Sequence, residues 1–274
     1  MLPFRIGATS YIIPDDILPN ARYLAALGEV QDIELVLFEV DDGPNNLPSP
    51  ETVAELAALA GAHDLTFTVH LPLDLRLGAS GDESHVSLIK ARKVIERTRA
   101  LNPWAYVLHL DGKDLLASLP ESEGAWARAK VWQDHSVRAL ELAAGWAGGA
   151  ERLAVENLER YPLDFIVPVI DRLPVSRCVD VGHLWLDDHN TLPYLQAALP
   201  RTKVVHIHGI AGRDHKSLAH VPPAKLDLVV ELLLREKYSG VLTLEVFGED
   251  DFSTSLEALT QSARRVAAHG GAGS

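Results

Sequence analysis

The chain has 274 residues, of which 47% are hydrophobic and 23% are charged, so it is long enough to bury a full core. Its formal net charge of −13 at pH 7 argues against a nucleic-acid partner, because proteins that grip many phosphates normally present a basic face. The single cysteine excludes an internal disulfide and a thiolate-rich zinc site. Any bound metal must therefore be held by histidines and carboxylates.

Short apolar strands alternate with helical segments along the chain. The predicted strands cover residues 4–9, 33–39, 65–70, 106–110, 152–156, 177–181, 203–208 and 240–247. The predicted helices cover residues 14–27, 50–63, 83–100, 124–147, 163–173, 192–199, 224–237 and 253–268. Eight strand-helix pairs with nearly continuous apolar strands favour an α/β fold of the closed (β/α)8 barrel type, with a doubly wound open sheet as the alternative.

No Pro- or Ser-rich linker divides this alternation, so we expect residues 1–269 to form one domain and the glycine-rich residues 270–274 to be a disordered tail. The sequence contains no apolar run long enough to cross a membrane, and a strand pattern begins at residue 4. We therefore expect a cytoplasmic protein without a membrane partner. Whether the chain forms a homo-oligomer is left open by the sequence.

Acids and histidines follow the predicted strands from the second through the eighth. In a (β/α)8 barrel the carboxyl ends of the strands form the functional face, so these side chains are expected to converge there. The residues are Glu39, His70, His109, Glu156, Asp180, His183, His206, His208, Asp214, His220 and Glu245. One such residue alone is more often a satisfied polar group than a ligand, but the repetition favours a site for Zn²⁺ or Mn²⁺.

This pattern resembles the xylose-isomerase-like barrel superfamily, which contains sugar isomerases, sugar epimerases and apurinic endonucleases of the endonuclease IV type. The motifs are Val-His-Leu-Pro at His70, Leu-His-Leu-Asp-Gly at His109, Val-Glu-Asn at Glu156, Asp-Val-Gly-His at Asp180 and His183, His-Ile-His-Gly at His206 and His208, Ala-His-Val-Pro-Pro at His220, and Leu-Glu-Val at Glu245.

The resemblance implies a metal core made by Glu156, Asp180, His208 and Glu245. It also implies the further ligands of multinuclear phosphodiesterases, which match His70, His109, His183, Asp214 and His220. Two positions stay open, because His206 could take the place of His208, and His215 could take the place of His220.

The number of candidate ligands bears on the class of reaction. A single-metal isomerase needs two carboxylates, one aspartate and one histidine around one cation, whereas this chain offers enough ligands for one to three divalent ions. We therefore expect a metal-dependent phosphodiesterase, in which Glu156 and Glu245 act in catalysis. Arg213 and Lys216 are candidates to stabilise charge on the phosphoryl oxygens, and Asp111 and Glu39 to orient ligand imidazoles.

Three segments, at residues 7–20, 34–39 and 68–77, are similar to the cobamide-remodelling phosphodiesterases of the CbiR type. This resemblance implies a small-molecule cobamide as substrate and hydrolysis of the bond between the phosphate and α-ribazole. The products would be cobinamide phosphate and α-ribazole for corrinoid salvage. The alternatives are a single-metal sugar isomerase or epimerase, and a barrel that binds a corrinoid without catalysis.

Overall fold

The eight strands form a closed barrel in sequence order, and β8 pairs in parallel with β1. The computed structural model describes residues 2–38, 45–118 and 123–270. The strands are β1 (Arg5–Thr9), β2 (Asp32–Val36), β3 (Thr66–His70), β4 (Tyr106–Leu108), β5 (Leu153–Glu156), β6 (Ser176–Asp180), β7 (Thr202–Ile207) and β8 (Val241–Leu244). The predicted (β/α)8 barrel is confirmed, and the open sheet is wrong because β8 returns to β1.

Helices separate the strands along the chain. They are α1 (Ile17–Leu27), α2 (Pro50–His63), α3 (Val86–Thr98), α4 (Lys113–Ser118), α5 (Glu123–Ala147), α6 (Val167–Ile170), α7 (Val181–Leu186), α8 (Thr191–Ala198), α9 (Pro223–Arg235) and α10 (Glu249–Gly270). The predicted start of α2 is confirmed, since the Ser49 hydroxyl accepts a hydrogen bond from the backbone N–H of Thr52 at 3.1 Å.

The chain divides into two compact units. The first unit contains Met1–Glu34, Leu59–Thr66 and Val179–Ser274, and the second contains Leu35–Ala58 and Phe67–Cys178. In the first unit, β1 pairs in parallel with β2 and β8, and β8 pairs with β7. In the second unit, β4 pairs in parallel with β3 and β5, and β5 pairs with β6. Residues 271–274 of the predicted tail lie outside the described residues, whereas Gly270 ends α10.

The chain differs from the prediction around Asp180. The short helix α7 begins directly after β6, where no helix was predicted, because the Asp180 carboxylate accepts a hydrogen bond from the backbone N–H of His183 at 2.7 Å. Six residues are too few for a helical period to be recognised in the sequence. Helix α6 is also shorter than predicted, at Val167–Ile170 instead of residues 163–173.

Gly182 in α7 is packed against the His208 ring. A Cβ atom at residue 182 would lie 2.3 Å from Cε1 and Nε2 of His208, and that ring is fully buried. The beginning of α7 can therefore approach β7 only because residue 182 has no side chain.

We predict that Gly182→Ala destabilises the protein by about 1–3 kcal/mol, because the added methyl group overpacks the buried His208 ring. The matched control is Gly145→Ala in α5, where a Cβ would meet nothing within 4 Å. That substitution should stabilise the helix by about 1 kcal/mol. Urea unfolding of both variants measures the difference, and equal stability of the two variants would contradict the packing argument.

Candidate metal-binding site

The first unit contains a cluster of four potential ligands, here called the Asp180 cluster. It consists of Asp180, His183, His208 and His215, and one ligand atom of each lies within 4.8 Å of the others. Asp180 Oδ1 is 3.4 Å from His208 Nε2, and Asp180 Oδ2 is 3.4 Å from His183 Nδ1. The His208 and His215 rings stack with their centroids 4.3 Å apart. One carboxylate thus faces imidazoles from three other positions.

Each member of the Asp180 cluster is positioned by the backbone. Asp180 ends β6 and caps α7, which carries His183 in its first turn, and His208 directly follows β7. His215 reaches the cluster because the loop after β7 folds back through an antiparallel bridge between Gly209 and Lys216. His208 Nδ1 lies 3.1 Å from both the carbonyl oxygen of Gly209 and the backbone nitrogen of His215. The tautomer with its proton on Nδ1 donates to Gly209 and leaves the Nε2 lone pair available to a cation.

His206 lies between two carboxylates of the first unit. Its Nε2 is 2.8 Å from Glu34 Oε2, and its Nδ1 is 3.2 Å from Glu245 Oε2. His206 and Glu34 are fully buried. His206, Asp180 and Glu245 also offer ligand atoms within 4.8 Å of one another, so Asp180 is a neighbour of both His206 and His208.

Glu245 joins His206 to the Asp180 cluster, since its Oε2 is also 3.4 Å from His215 Nε2. Burial alone would raise the pKa of Glu245, but the charges and hydrogen bonds of His206 and His215 hold it well below its usual value. Burial alone would likewise lower the pKa of His215, but Glu245, with Asp180 and Asp214, raises it to about 10. Glu245 is therefore an ionised carboxylate at neutral pH.

The second unit also contains a set of potential ligands, here called the Glu156 cluster, which consists of His70, His109 and Glu156. Glu156 Oε2 is 2.9 Å from His109 Nε2 and 3.3 Å from His70 Nε2. His70 Nδ1 lies 2.7 Å from the carbonyl oxygen of Leu71. A proton on Nδ1 donates to that carbonyl and leaves the Nε2 lone pair directed at Glu156, which is the tautomer that metal-binding histidines adopt.

The donor atoms of both clusters fit a divalent cation. His208 Nε2 is buried and has no hydrogen-bond partner among the described residues, although Asp180 Oδ1 lies 3.4 Å away. An unsatisfied buried polar atom is costly, and a cation between imidazole nitrogen and carboxylate oxygen would satisfy it. Nitrogen and oxygen ligands of this kind suit Zn²⁺ or Mn²⁺.

Several predicted site residues lie apart from these clusters. His220 is exposed in a 3-10 turn at Leu218–His220, since the backbone of Leu218 donates to Ser255 Oγ on α10 and draws the turn toward that helix. His215 from the same loop stands in the Asp180 cluster instead. Asp214 is only half-buried, with Oδ1 3.4 Å from His215 Nδ1.

The charged residues proposed for the phosphate differ in their surroundings. Lys216 Nζ forms an ion pair with Asp251 Oδ2 at 2.8 Å, so this lysine is not directed at a cluster. Arg213 is exposed. Asp111 contacts Arg76 and Tyr161 where an orienting contact with a ligand imidazole was predicted. Glu39 lies outside the described residues.

Glu34 was not among the predicted site residues. Its only signal in the sequence is an acid inside the apolar run Ile33-Glu-Leu-Val, and such an acid is equally consistent with a polar face of a strand. The structure places Glu34 as the buried carboxylate that fixes the orientation of His206.

The fold and the clusters define a class, a (β/α)8 barrel with candidate metal sites at the carboxyl ends of its strands. Residues 21–268 match the family model of the xylose isomerase-like TIM barrel. The chain therefore belongs to the xylose isomerase-like TIM barrel family.

Solved structures similar to this chain include sugar epimerases. A D-tagatose 3-epimerase-like protein has a TM-score of 0.75 and 19% identity, covering 97% of this chain and 99% of its own. The 3-keto-D-glucoside 4-epimerase of E. coli has a TM-score of 0.67 and 18% identity, with 94% and 98% covered. The D-psicose 3-epimerase of Clostridium cellulolyticum has a TM-score of 0.62 and 14% identity, with 97% and 98% covered. At these identities the likeness establishes the fold.

A comparison with curated protein sequences finds no match. No helix within the described parts of the chain has the length and apolar character needed to span a membrane.

We predict that Glu34→Gln weakens binding of Zn²⁺ or Mn²⁺ by about 10–100-fold. Glu34 orients the imidazole of His206 and raises its basicity, and His206 offers a ligand atom within 4.8 Å of those of Asp180 and Glu245. The matched control is Asp32→Asn, which removes a buried carboxylate from the same strand, bonded to the Thr66 hydroxyl at 2.6 Å. Competition with a chromogenic chelator measures the affinity. Equal affinities in Glu34→Gln and wild type would contradict the orienting role.

Proposed function

We propose that this protein is a metal-dependent phosphodiesterase that hydrolyses the nucleotide loop of a cobamide. The observation that supports the proposal is the number of potential ligands. The chain has the four ligands of the Asp180 cluster, and it also has the Glu156 cluster, in which two imidazoles face one carboxylate. A sugar isomerase with one cation has no need of this second set. A pair of cations can stabilise both the attacking and the leaving oxygen of a phosphodiester displacement.

The two clusters and Glu245 have different roles in the proposed reaction. Asp180, His183, His208 and His215 would hold one cation, and His70, His109 and Glu156 would hold another. Bound divalent cations supply Lewis-acid polarisation of the phosphate and acidify water to a pKa of roughly 7. Glu245, whose Oε2 is 3.2 Å from His206 Nδ1 and 3.4 Å from His215 Nε2, would serve as a further ligand or as the acceptor of the proton from the attacking water.

In the proposed reaction the oxygen of water forms a bond to phosphorus, and the bond between phosphorus and the ribose oxygen of α-ribazole breaks. The ribose oxygen takes up a proton, so the products are cobinamide phosphate and α-ribazole. The cobamide itself is inferred from the resemblance of residues 7–20, 34–39 and 68–77 to the CbiR type.

An aromatic surface beside the Asp180 cluster supports a substrate with a planar group. The Phe247 side chain is 40% exposed, and its ring centroid lies 5.5 Å from that of His215. An exposed phenylalanine next to polar ligands is suited to stack on a flat base such as the lower base of a cobamide.

A sugar epimerase is the second candidate. It is favoured by the similar solved structures described above, several of which are epimerases. It requires a single cation and two glutamates that exchange protons with the substrate, and Glu156 and Glu245 would take those roles.

Product analysis separates the candidates. The protein, stripped of metal and reloaded with Zn²⁺ or Mn²⁺, is incubated with cobalamin or, in parallel, with D-tagatose and D-psicose, and the products are resolved by chromatography and mass spectrometry. Cobinamide phosphate and α-ribazole support the phosphodiesterase, whereas interconversion of ketohexoses supports the epimerase. A bound but unchanged cobamide with every metal would favour a non-catalytic corrinoid-binding barrel.

We predict that Asp180→Ala and Glu156→Ala each abolish hydrolysis of the cobamide, because each removes the carboxylate shared by the imidazoles of its cluster. The control is Glu231→Ala on the exposed side of α9, which should retain activity. Circular dichroism and initial rates are measured for the three variants. A folded Asp180→Ala or Glu156→Ala protein with near-normal turnover would refute the metal assignment.

We predict that Phe247→Ala raises KM for the cobamide by about tenfold, consistent with the loss of one base-stacking contact, and changes kcat less. Leu228→Ala is the control, since Leu228 on α9 is exposed to a similar extent, at 48%. Steady-state kinetics measures KM and kcat separately for both variants. An unchanged KM in Phe247→Ala would rule out stacking of the substrate on this ring.

A further inference from the structure

An arginine is held at the functional face of the second unit by two neighbouring loops. Arg76 lies in the loop that follows β3, Asp111 follows β4, and Tyr161 follows β5. Arg76 Nη1 is 3.0 Å from Asp111 Oδ2. Loops after the carboxyl ends of barrel strands form the functional face, so this group stands where a substrate is bound.

The partner of Arg76 is itself fixed in place. The Tyr161 hydroxyl donates to Asp111 Oδ1 at 2.7 Å, and the backbone N–H of Lys113 donates to the same oxygen at 2.8 Å. The backbone N–H of Arg76 donates to the buried Ser87 Oγ at 2.8 Å. Both the backbone and the guanidinium of Arg76 are therefore anchored.

Only one edge of the guanidinium is used by these contacts. Nη1 faces Asp111 and the carbonyl of Leu75, whereas no hydrogen bond from Nε or Nη2 occurs within the described ranges. The side chain is 52% exposed. A planar edge with two N–H groups at fixed spacing matches two oxygens of a phosphate, which a lysine cannot do in the same way.

The partner of the anchored arginine, Asp111, is close in sequence to a member of the Glu156 cluster. Asp111 comes two residues after His109, whose Nε2 is 2.9 Å from Glu156 Oε2. A solvated lysine would place a positive charge at this face, but its ammonium group would have no fixed orientation. The ion pair with Asp111 fixes the orientation of the Arg76 guanidinium, so its Nε and Nη2 edge is preorganised.

We propose that Arg76 binds the phosphate group of the substrate through its Nε and Nη2 edge and thereby selects anionic phosphoester substrates over neutral sugars. Asp111 and Tyr161 are positioning residues that hold the guanidinium. This inference rests on the proposed phosphodiesterase function, and it specifies the group that recognises the phosphate.

The test uses inorganic phosphate as the probe and the full chain loaded with Zn²⁺, from which free metal has been removed. Titration calorimetry compares wild type with Arg76→Met, Arg76→Lys and Arg172→Met. Arg172 is the matched control, because it is 46% exposed and its Nη1 is paired with Asp134 Oδ1 at 2.7 Å. Thermal unfolding of each variant identifies a loss of fold.

We expect phosphate affinity to fall about tenfold or more in Arg76→Met, and less in Arg76→Lys, because one bidentate charged contact is lost or weakened. Arg172→Met should bind phosphate as wild type does. Kinetics with the cobamide should give a higher KM for Arg76→Met, with a smaller change in kcat. Asp111→Asn should weaken phosphate binding without removing it.

Two results would overturn the inference: wild type that binds no phosphate, or a folded Arg76→Met protein that binds phosphate as tightly as wild type. Failure of the proposed function gives a different result. If cobalamin is not hydrolysed but phosphate binding still depends on Arg76, the anion site stands and the cobamide substrate is wrong.

Discussion

The pairing of buried carboxylates with imidazoles is the interaction on which the functional face of this barrel depends. Asp180, Glu34 and Glu156 are buried, and each has a histidine nitrogen within 3.4 Å. A carboxylate removed from water is costly unless a positive or hydrogen-bonding partner compensates it. The strands of a closed parallel barrel are covered on both faces, so they offer few places where such groups are tolerated, and the strand ends are among them.

The fold could be predicted from the sequence because one pattern, an apolar strand followed by a helix, is repeated along the chain. Eight apolar strands alternating with helices leave few arrangements, and the barrel is one of them. The bounds of single elements were less predictable where a side chain overrides the hydrophobic period. Helix α7 exists because Asp180 caps it, and a cap of this kind is indistinguishable in sequence from a strand-end ligand.

The membership of the clusters was predictable only in part. Six of the cluster residues lie at the last position of a strand or within three residues after it, and that position is sufficient to bring them into clusters within each unit: His70, His109, Glu156, Asp180, His183 and His208. His215 and His220 lie in one loop, and the sequence could not rank them because the decision is made by backbone hydrogen bonds. Glu34 was missed because its partner, His206, is 172 residues away along the chain.

The bridge between Gly209 and Lys216 gives the loop after β7 an order of its own. Each of the two residues donates its N–H to the carbonyl of the other, at 2.6 Å and 3.0 Å, and closure of so short a segment costs little chain entropy. Folding of the chain alone consequently places His215, which has a left-handed φ of 52°, beside the other members of the Asp180 cluster. The loop is therefore already ordered before a cation binds. The rate of cation binding should be set by diffusion and dehydration of the ion and not by rearrangement of the chain.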